Sequence, residues 1–342
     1  MSCPPACGRA EAPRTGLRIN ELQLLGTHNS YHVAPDAFAM RLIAAAAPGE
    51  AAGVDCTQRP LTEQLGQLGL RHFELDLFLD PHGGLFRRPA AMAMAARTGV
   101  RVPPFDPAAR LAEPGIKVLH SPDFDFRTTA YTLADGLQEI VRWSDDHRGH
   151  VPIFLLLELK ESSFSPTRPL PWDATGFAEL ERTILQIVPR SRILAPDDVR
   201  GDAATLREAV EGRGWPLVDA HRGKFVFLMD NEDAVRDSYL AKSPYQEERL
   251  LFVSVSRDHP AAAWMKRNDP TTQFAEIADL VERGFLVRTR ADSGTREARA
   301  NDPRRRDQAI ASGAQLVSTD FPEPDRRFSA YRVALPPPPE PR

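Results

Sequence analysis

The sequence lacks several features that mark whole classes of protein. No apolar stretch approaches the roughly 20 residues of a membrane span, and the run VPIFLLLEL at 151–159 is far too short. The first 16 residues contain no apolar signal-peptide core. A net charge of −4 gives no basic field that would hold nucleic acid. We therefore predict no transmembrane segment and no nucleic-acid partner.

Cysteine and glycine-rich motifs are also scarce. The three cysteines, Cys3, Cys7 and Cys56, fit neither a disulfide framework nor a zinc site. A Cys3–Cys7 bridge, a Cys7–Cys56 bridge and unpaired thiols all stay open. No GxGxxG segment is present, which argues against a doubly wound nucleotide-binding sheet.

Apolar runs that resemble buried strands recur along most of the chain. The eight runs are 21–26, 71–79, 116–121, 151–160, 224–230, 250–256, 285–291 and 314–321. Helix-like segments lie between them, at 61–69, 132–147, 173–188, 204–214, 271–284 and 302–314. Alternating strands and helices over this length predict an α/β fold, a single (β/α)8 TIM-type barrel.

The barrel is predicted to occupy residues 17–333, which leaves two short flanking segments. Residues 1–16 form an N-terminal extension, and residues 334–342 form a proline-rich tail that we expect to be unfolded.

Polar side chains collect where the predicted strands end, and in such barrels the chemistry lies at those ends. The first strand opens onto GTHNSYH, and in the second strand Glu74 and Asp76 share one face because strand side chains alternate. The other candidates at strand ends are His28, Asn29, His120, Glu158, Lys160, Arg288, Arg290, Ser318 and Asp320.

Two interpretations of the carboxylates stay open. Glu74 and Asp76 could pair with Arg288 and Arg290 as a polar plug inside the barrel. Alternatively, carboxylates that converge in a low-dielectric mouth need a cation between them. Asn29, Glu74, Asp76 and Glu158 offer only oxygen atoms, which suit Ca²⁺ and, less well, Mg²⁺. That set would leave His28 and His120 free for proton transfer.

An ordered set of motifs resembles a known family over residues 17–333. GTHNSY, ELDLFLDP, KVLHSPDFDFRT, FLLLELK, LVRTRAD and GAQLVSTDFP look like the calcium-dependent phosphatidylinositol-specific phospholipases C of bacteria. The resemblance implies a PLC-like phosphodiesterase barrel in which His28 and His120 are catalytic. It also implies that Asn29, Glu74, Asp76 and Glu158 hold the cation, and family members are commonly secreted or periplasmic.

The implied reaction is attack of the inositol 2-hydroxyl on the adjacent phosphorus, which expels diacylglycerol and leaves a cyclic phosphate. His28, or alternatively a metal-bound carboxylate, would act as the base and His120 as the acid. Lys160, Arg288 and Arg290 are candidates for phosphate or headgroup contact, and ion pairs inside the barrel remain the alternative for them.

Two segments at the mouth could meet a membrane surface transiently. Residues 34–53 and 86–105 are rich in Ala, Met and Phe with interspersed arginines, as interfacial segments often are. The alternative is a helical lid packed on the barrel, which we favour for the first segment. A soluble glycerophosphodiesterase and an inactive binding barrel remain alternatives. The first typically begins with His-Arg-Gly where this chain has His28-Asn29-Ser30, and the complete ligand set argues against the second.

Overall fold

The computed structural model describes residues 16–162 and 165–340. Within these residues, nine strands form one sheet: β1 (Leu24–Thr27), β2 (His72–Phe78), β3 (Lys117–Val118), β4 (Ile153–Leu159), β5 (Phe225–Met229), β6 (Leu251–Val253), β7 (Trp264–Lys266), β8 (Leu286–Arg290) and β9 (Leu316–Thr319). Eight of them are parallel and run in the order β6-β5-β4-β2-β1-β9-β8-β7. A parallel bridge between Ser254 and Trp264 joins the two ends. The predicted eight-stranded TIM-type barrel is confirmed, and it is nearly closed.

The third predicted strand was wrong as a barrel strand. Of residues 116–121, only β3 is extended, and it pairs antiparallel with the end of β2 (Leu77 with Val118). The eighth barrel position is taken by β7, which the sequence analysis did not predict. At three residues, after the stretch Pro260–Ala263, β7 is too short to show a strand period. His120 therefore lies in the loop after β3 and not at the end of a barrel strand.

Helices surround the barrel where the sequence predicted them, and others form in the loops. They are α1 (Ala37–Ala46), α2 (Pro48–Gly53), α3 (Leu61–Gly66), α4 (Ala90–Thr98), α5 (Leu133–Asp146), α6 (Ala174–Ile187), α7 (Pro196–Arg200), α8 (Leu206–Gly212), α9 (Ala234–Leu240), α10 (Phe274–Glu282), α11 (Arg296–Ala300) and α12 (Arg304–Ala311). Capping side chains begin several of them: Thr132 accepts from an amide of α5, and Asp173 accepts from two amides of α6.

The core lies between the barrel wall and these helices. In β2, Phe73, Leu75 and Leu77 are fully buried on the helix side, whereas Glu74 and Asp76 point to the opposite face. No helix among the described residues is long and apolar enough to span a membrane.

The two flanking segments differ in how much the structure describes. Residues 1–15, which include Cys3 and Cys7, lie outside the described residues. The unfolded proline-rich tail at 334–342 stays a prediction, and residues 334–340 form neither helix nor strand. The Arg222 guanidinium donates to the carbonyl oxygens of Pro339 (3.1 Å) and Glu340 (2.9 Å).

Candidate active site

The end of β1 positions the first histidine and the asparagine of the predicted site. At Gly26, a Cβ atom would lie 2.1 Å from the carbonyl oxygen of His72, so only glycine lets β1 approach β2 at this point. The chain then turns sharply, because Asn29 has a left-handed backbone (φ 45°). These two features place the side chains of His28 and Asn29 at the carboxyl-terminal mouth of the barrel.

Three carboxylates meet beside Asn29. The parallel register of β2 and β4 sets Asp76 opposite Glu158, and Glu74 lies two residues earlier on the same face. Oxygen atoms of Glu74, Asp76 and Glu158 lie within 4.8 Å of one another, close enough to share one cation. Glu74 and Asp76 are buried, whereas the side chain of Glu158 is 31% exposed.

Basic side chains reach this cluster, but not in the pairing that a plug requires. Buried Arg288 donates to Glu74 and also to Ser318 (2.7 Å) and Asn268. Lys160 Nζ lies 3.0 Å from Glu158 and 3.4 Å from Asp76. The alternative interpretation, in which both strand 2 carboxylates pair with arginines, therefore holds for Glu74 alone. Arg290 pairs with Asp320 instead of Asp76.

Several oxygen atoms of the cluster lack the hydrogen bonds that buried polar groups normally make. Within residues 16–162 and 165–340, Asn29 Oδ1 and both carboxylate oxygens of Asp76 are buried without a hydrogen-bond donor. Burial, reinforced by the charge of Glu158 and opposed by Lys160, raises the pKa of Asp76 to about 6. Buried oxygen atoms that lack hydrogen-bond donors suit a hard cation. The residues present therefore fit a divalent metal such as Ca²⁺.

His28 lies beside the cluster and is held by a residue from the other end of the chain. Its Nδ1 atom lies 2.8 Å from Asp320 Oδ1, and its Nε2 atom lies 3.7 Å from Glu74. Arg290 lies 3.4 Å from the other oxygen of Asp320, and Asp292 accepts a hydrogen bond from the Asp320 amide (2.8 Å). Asp320 thus orients the ring so that Nε2 faces the mouth.

His120 is held in the same way by an aspartate five residues later. Its Nδ1 atom lies 2.7 Å from Asp125 Oδ2, and its side chain is 32% exposed. Burial alone would lower the pKa of His120, but the hydrogen bond to Asp125 and the charge of that carboxylate raise it to about 9. His120 is therefore protonated at neutral pH and can donate a proton.

The structure brings together all nine predicted site residues, and it adds four that sequence reasoning gave no role. His32, Asp125, Asp292 and Asp320 position the two histidines or their partners. Two of them lie in sequence motifs that had been singled out: Asp125 lies in KVLHSPDFDFRT, and Asp320 lies in GAQLVSTDFP. Nothing in the sequence pairs either with its histidine.

Two oriented histidines beside a carboxylate cluster that could hold a cation, at the mouth of a parallel barrel, are typical of metal-assisted phosphodiesterases. Comparison with known proteins makes the class specific. Residues 17–340 match the family model described as Phosphoinositide phospholipase C, Ca²⁺-dependent. The chain belongs to this family and is an enzyme of the phospholipase C type. None of the curated proteins matches it.

Solved structures share the fold at low sequence identity. A calcium-dependent phosphoinositol-specific phospholipase C from Pseudomonas sp. is 14% identical with a TM-score of 0.55, and 92% of each chain is covered. Its myoinositol complex is 15% identical with a TM-score of 0.55 over 93% of each chain. A Ca²⁺-dependent enzyme from Streptomyces antibioticus is 18% identical with a TM-score of 0.53, covering 89% of this chain and 95% of that one.

Proposed function

We propose that this protein cleaves the phosphodiester bond of phosphatidylinositol-type lipids by acid–base catalysis with Ca²⁺. The observation that carries the proposal is the pair of Asp-oriented histidines beside the oxygen-only cluster. The Pseudomonas neighbour was solved with myoinositol, which agrees with an inositol headgroup. Asn29, Glu74, Asp76 and Glu158 would hold the cation.

Each histidine has a role that follows from its surroundings. His28, with Nδ1 engaged by Asp320, presents Nε2 to remove the proton of the inositol 2-hydroxyl. His120, protonated at neutral pH, donates a proton to the oxygen of the leaving diacylglycerol. A bound Ca²⁺ would supply positive charge for the phosphate oxygens and lower the pKa of the attacking hydroxyl. The products are diacylglycerol and an inositol cyclic phosphate.

The three basic residues of the site differ in what they offer a phosphate. Arg288 is 1% exposed and its donors are used by Glu74, Ser318 and Asn268, so its role is to position Glu74. Lys160 and Arg290 are 20% and 15% exposed and lie nearer the mouth. We infer that Lys160 and Arg290 contact the phosphate or headgroup.

The mouth also carries a surface suited to a bilayer. Helices α1 and α4 pack on each other through Ala39 and Ala91, as a lid would. Around them are five exposed arginines without an ion pair among the described residues: Arg41, Arg87, Arg88, Arg97 and Arg101. Leu85 and Val100, each 36% exposed, lie in the same segment. Unpaired arginines beside apolar side chains favour transient contact with anionic lipids. We propose that the enzyme meets this lipid as a secreted or periplasmic protein.

One assay separates this function from its alternatives. Phosphatidylinositol, lysophosphatidylinositol and glycerophosphoinositol are each incubated with Ca²⁺, Mg²⁺ or chelator, and the phosphorus products are followed by ³¹P NMR. We expect a cyclic phosphate from the lipids, with Ca²⁺ required. Preferential turnover of glycerophosphoinositol would indicate a soluble glycerophosphodiesterase, and no turnover of any would indicate a binding barrel.

The arginine-rich surface around α1 and α4 is tested by binding to vesicles. Changing Arg87, Arg88 and Arg97 together to Gln should weaken binding to vesicles that contain anionic lipid, and leave turnover of glycerophosphoinositol unchanged. Arg142→Gln, on the outer helix α5, is the matched control. If the triple variant binds vesicles as well as the wild type, this arginine-rich surface does not contact the membrane.

A further inference from the structure

Behind His120 lies a third histidine that the reaction described above does not use. The side chain of His32 is 3% exposed, and its ring packs edge-on against the ring of His120 with centroids 5.8 Å apart. Its Nε2 atom lies 2.8 Å and 3.0 Å from the two oxygens of Asp125, and its Nδ1 atom lies 3.0 Å from the carbonyl oxygen of Cys56. A buried imidazole with both nitrogens engaged is a built feature of the site.

The partners of His32 determine which atoms carry hydrogen. The Cys56 carbonyl can only accept, so Nδ1 of His32 donates to it. Asp125 is ionised, because His32 and His120 lower its pKa despite its burial. Nε2 of His32 lies within hydrogen-bond distance of both oxygens of this carboxylate. His32 acts as a clamp that is fixed to the main chain at one end and holds the Asp125 carboxylate at the other.

The clamp matters because the backbone alone does not orient that carboxylate. Asp125 closes a tight turn through reciprocal amide–carbonyl hydrogen bonds with Ser121 (2.9 and 3.2 Å), which fix its Cα but leave its side chain free to rotate. With His32 in place, Oδ2 of Asp125 accepts from Nδ1 of His120. Because Nδ1 of His120 is turned toward Asp125, Nε2 is the ring nitrogen that faces the mouth.

We propose that His32 is a positioning residue for the general acid: by clamping Asp125, it fixes the orientation of the His120 ring and aims Nε2–H at the leaving oxygen. This inference rests on the proposed function for its kinetic consequence, but its structural part does not. His32 touches no reacting atom, so it is not itself a catalytic residue.

A leaving-group comparison tests the proposal. Proton donation matters when the leaving group would otherwise depart as an alkoxide. It matters little for p-nitrophenolate, which is a far weaker base than an alkoxide. For an inositol phosphodiester of a primary alcohol, His32→Phe should lower kcat about 10–100-fold with KM changed less than about twofold. For the p-nitrophenyl ester, kcat should change less than about threefold. His32→Gln, which keeps one donor toward Asp125, should recover part of the loss.

The control variant is His150→Phe, which removes another buried histidine at the opposite end of the barrel. His150 lies 2.5 Å from Ser144 Oγ and 2.6 Å from the Val151 carbonyl, so the variant loses a comparable number of hydrogen bonds. It should treat both substrates equally. Equal losses on both substrates by His32→Phe, or no loss on either, would overturn the positioning role.

A spectroscopic measurement decides the same question without turnover. In ¹⁵N-labelled resting protein, the Nδ1–H signal of His120 should be visible and hydrogen-bonded in the wild type and in His150→Phe. In His32→Phe this signal should disappear or shift, because the Nδ1 hydrogen is no longer held by Asp125 and exchanges with solvent. If no inositol phosphodiester is cleaved, the proposed function fails, but the Nδ1–H signal of His120 still tests the clamp. A signal that is unchanged in His32→Phe overturns the role of His32 as the clamp. If His32→Phe does not fold, His32→Gln carries both measurements.

Discussion

Replacing Asp76 or Glu74 with its amide should change stability in opposite directions, although the two residues share one strand face. Asp76 is buried with two oxygens that lack hydrogen-bond donors, whereas Glu74 accepts from buried Arg288. The sequence treats the two carboxylates alike. The structure predicts that without metal Asp76→Asn stabilises the protein and Glu74→Gln destabilises it.

The magnitude for Asp76 follows from its pKa. A carboxyl with a pKa of about 6 in the folded protein and 3.8 in the unfolded chain binds its proton more tightly when folded. The corresponding stability is fully present below pH 3.8 and is lost as the pH rises through about 6, which amounts to about 3 kcal/mol. Asp76→Asn carries no charge, so in chelator it should exceed the wild type by up to that amount above pH 6, and less as the pH falls.

The magnitude for Glu74 follows from its ion pair. Removing one partner of a buried pair typically costs about 3–5 kcal/mol. Since a glutamine oxygen still accepts from Arg288, we expect the lower end of that range. Both variants should lose most of the stabilisation that saturating Ca²⁺ gives the wild type.

Urea unfolding at pH 5, 6, 7 and 8, with Ca²⁺ and with chelator, measures these differences. Asp202→Asn is the control, because that carboxylate is 96% exposed and its removal should change the free energy of unfolding by less than about 0.5 kcal/mol. The reasoning about a cation site is refuted if Asp76→Asn loses more than about 2 kcal/mol in chelator.

Three further predictions concern activity and folding. Exhaustive chelation should abolish turnover and Ca²⁺ should restore it, whereas full activity in chelator would remove the metal from the mechanism. His28→Gln and His120→Gln should each cut turnover of the lipid by about 10²–10⁴-fold. The wild-type kcat/KM should fall above pH 9, where His120 loses its proton. A kcat/KM that stays constant up to pH 10 would contradict the role of His120 as the acid. Gly26→Ala should destabilise the protein by at least about 3 kcal/mol, because the new Cβ would lie 2.1 Å from the His72 carbonyl oxygen. A melting temperature equal to the wild type would show that β1 can move away from β2.

Much of the site was predictable because its residues lie on regular elements. The period of two in β2 placed Glu74 and Asp76 on one face, and the strand ends located Asn29 and Glu158. In each case local geometry determines the direction of the side chain. The barrel followed for the same reason, since most of its strands are long apolar runs.

Other parts of the site could not be predicted, because they depend on which distant segments meet. Asp320 binds a histidine 292 residues away, and His32 binds an aspartate 93 residues away. No local period encodes these pairings. The strand β7 was missed for a different reason: three residues carry too little pattern to outweigh their neighbours.

The pairing of the first and last barrel strands has a consequence for when activity can appear. β1 lies beside β9, and His28, the proposed base, is held by Asp320, so one pair of the candidate site joins the two ends of the barrel. A growing chain that has not yet released Asp320 from the ribosome contains His28 without its partner and a barrel without its last strand. Under the proposed mechanism, the chain therefore gains activity only when its synthesis is almost finished.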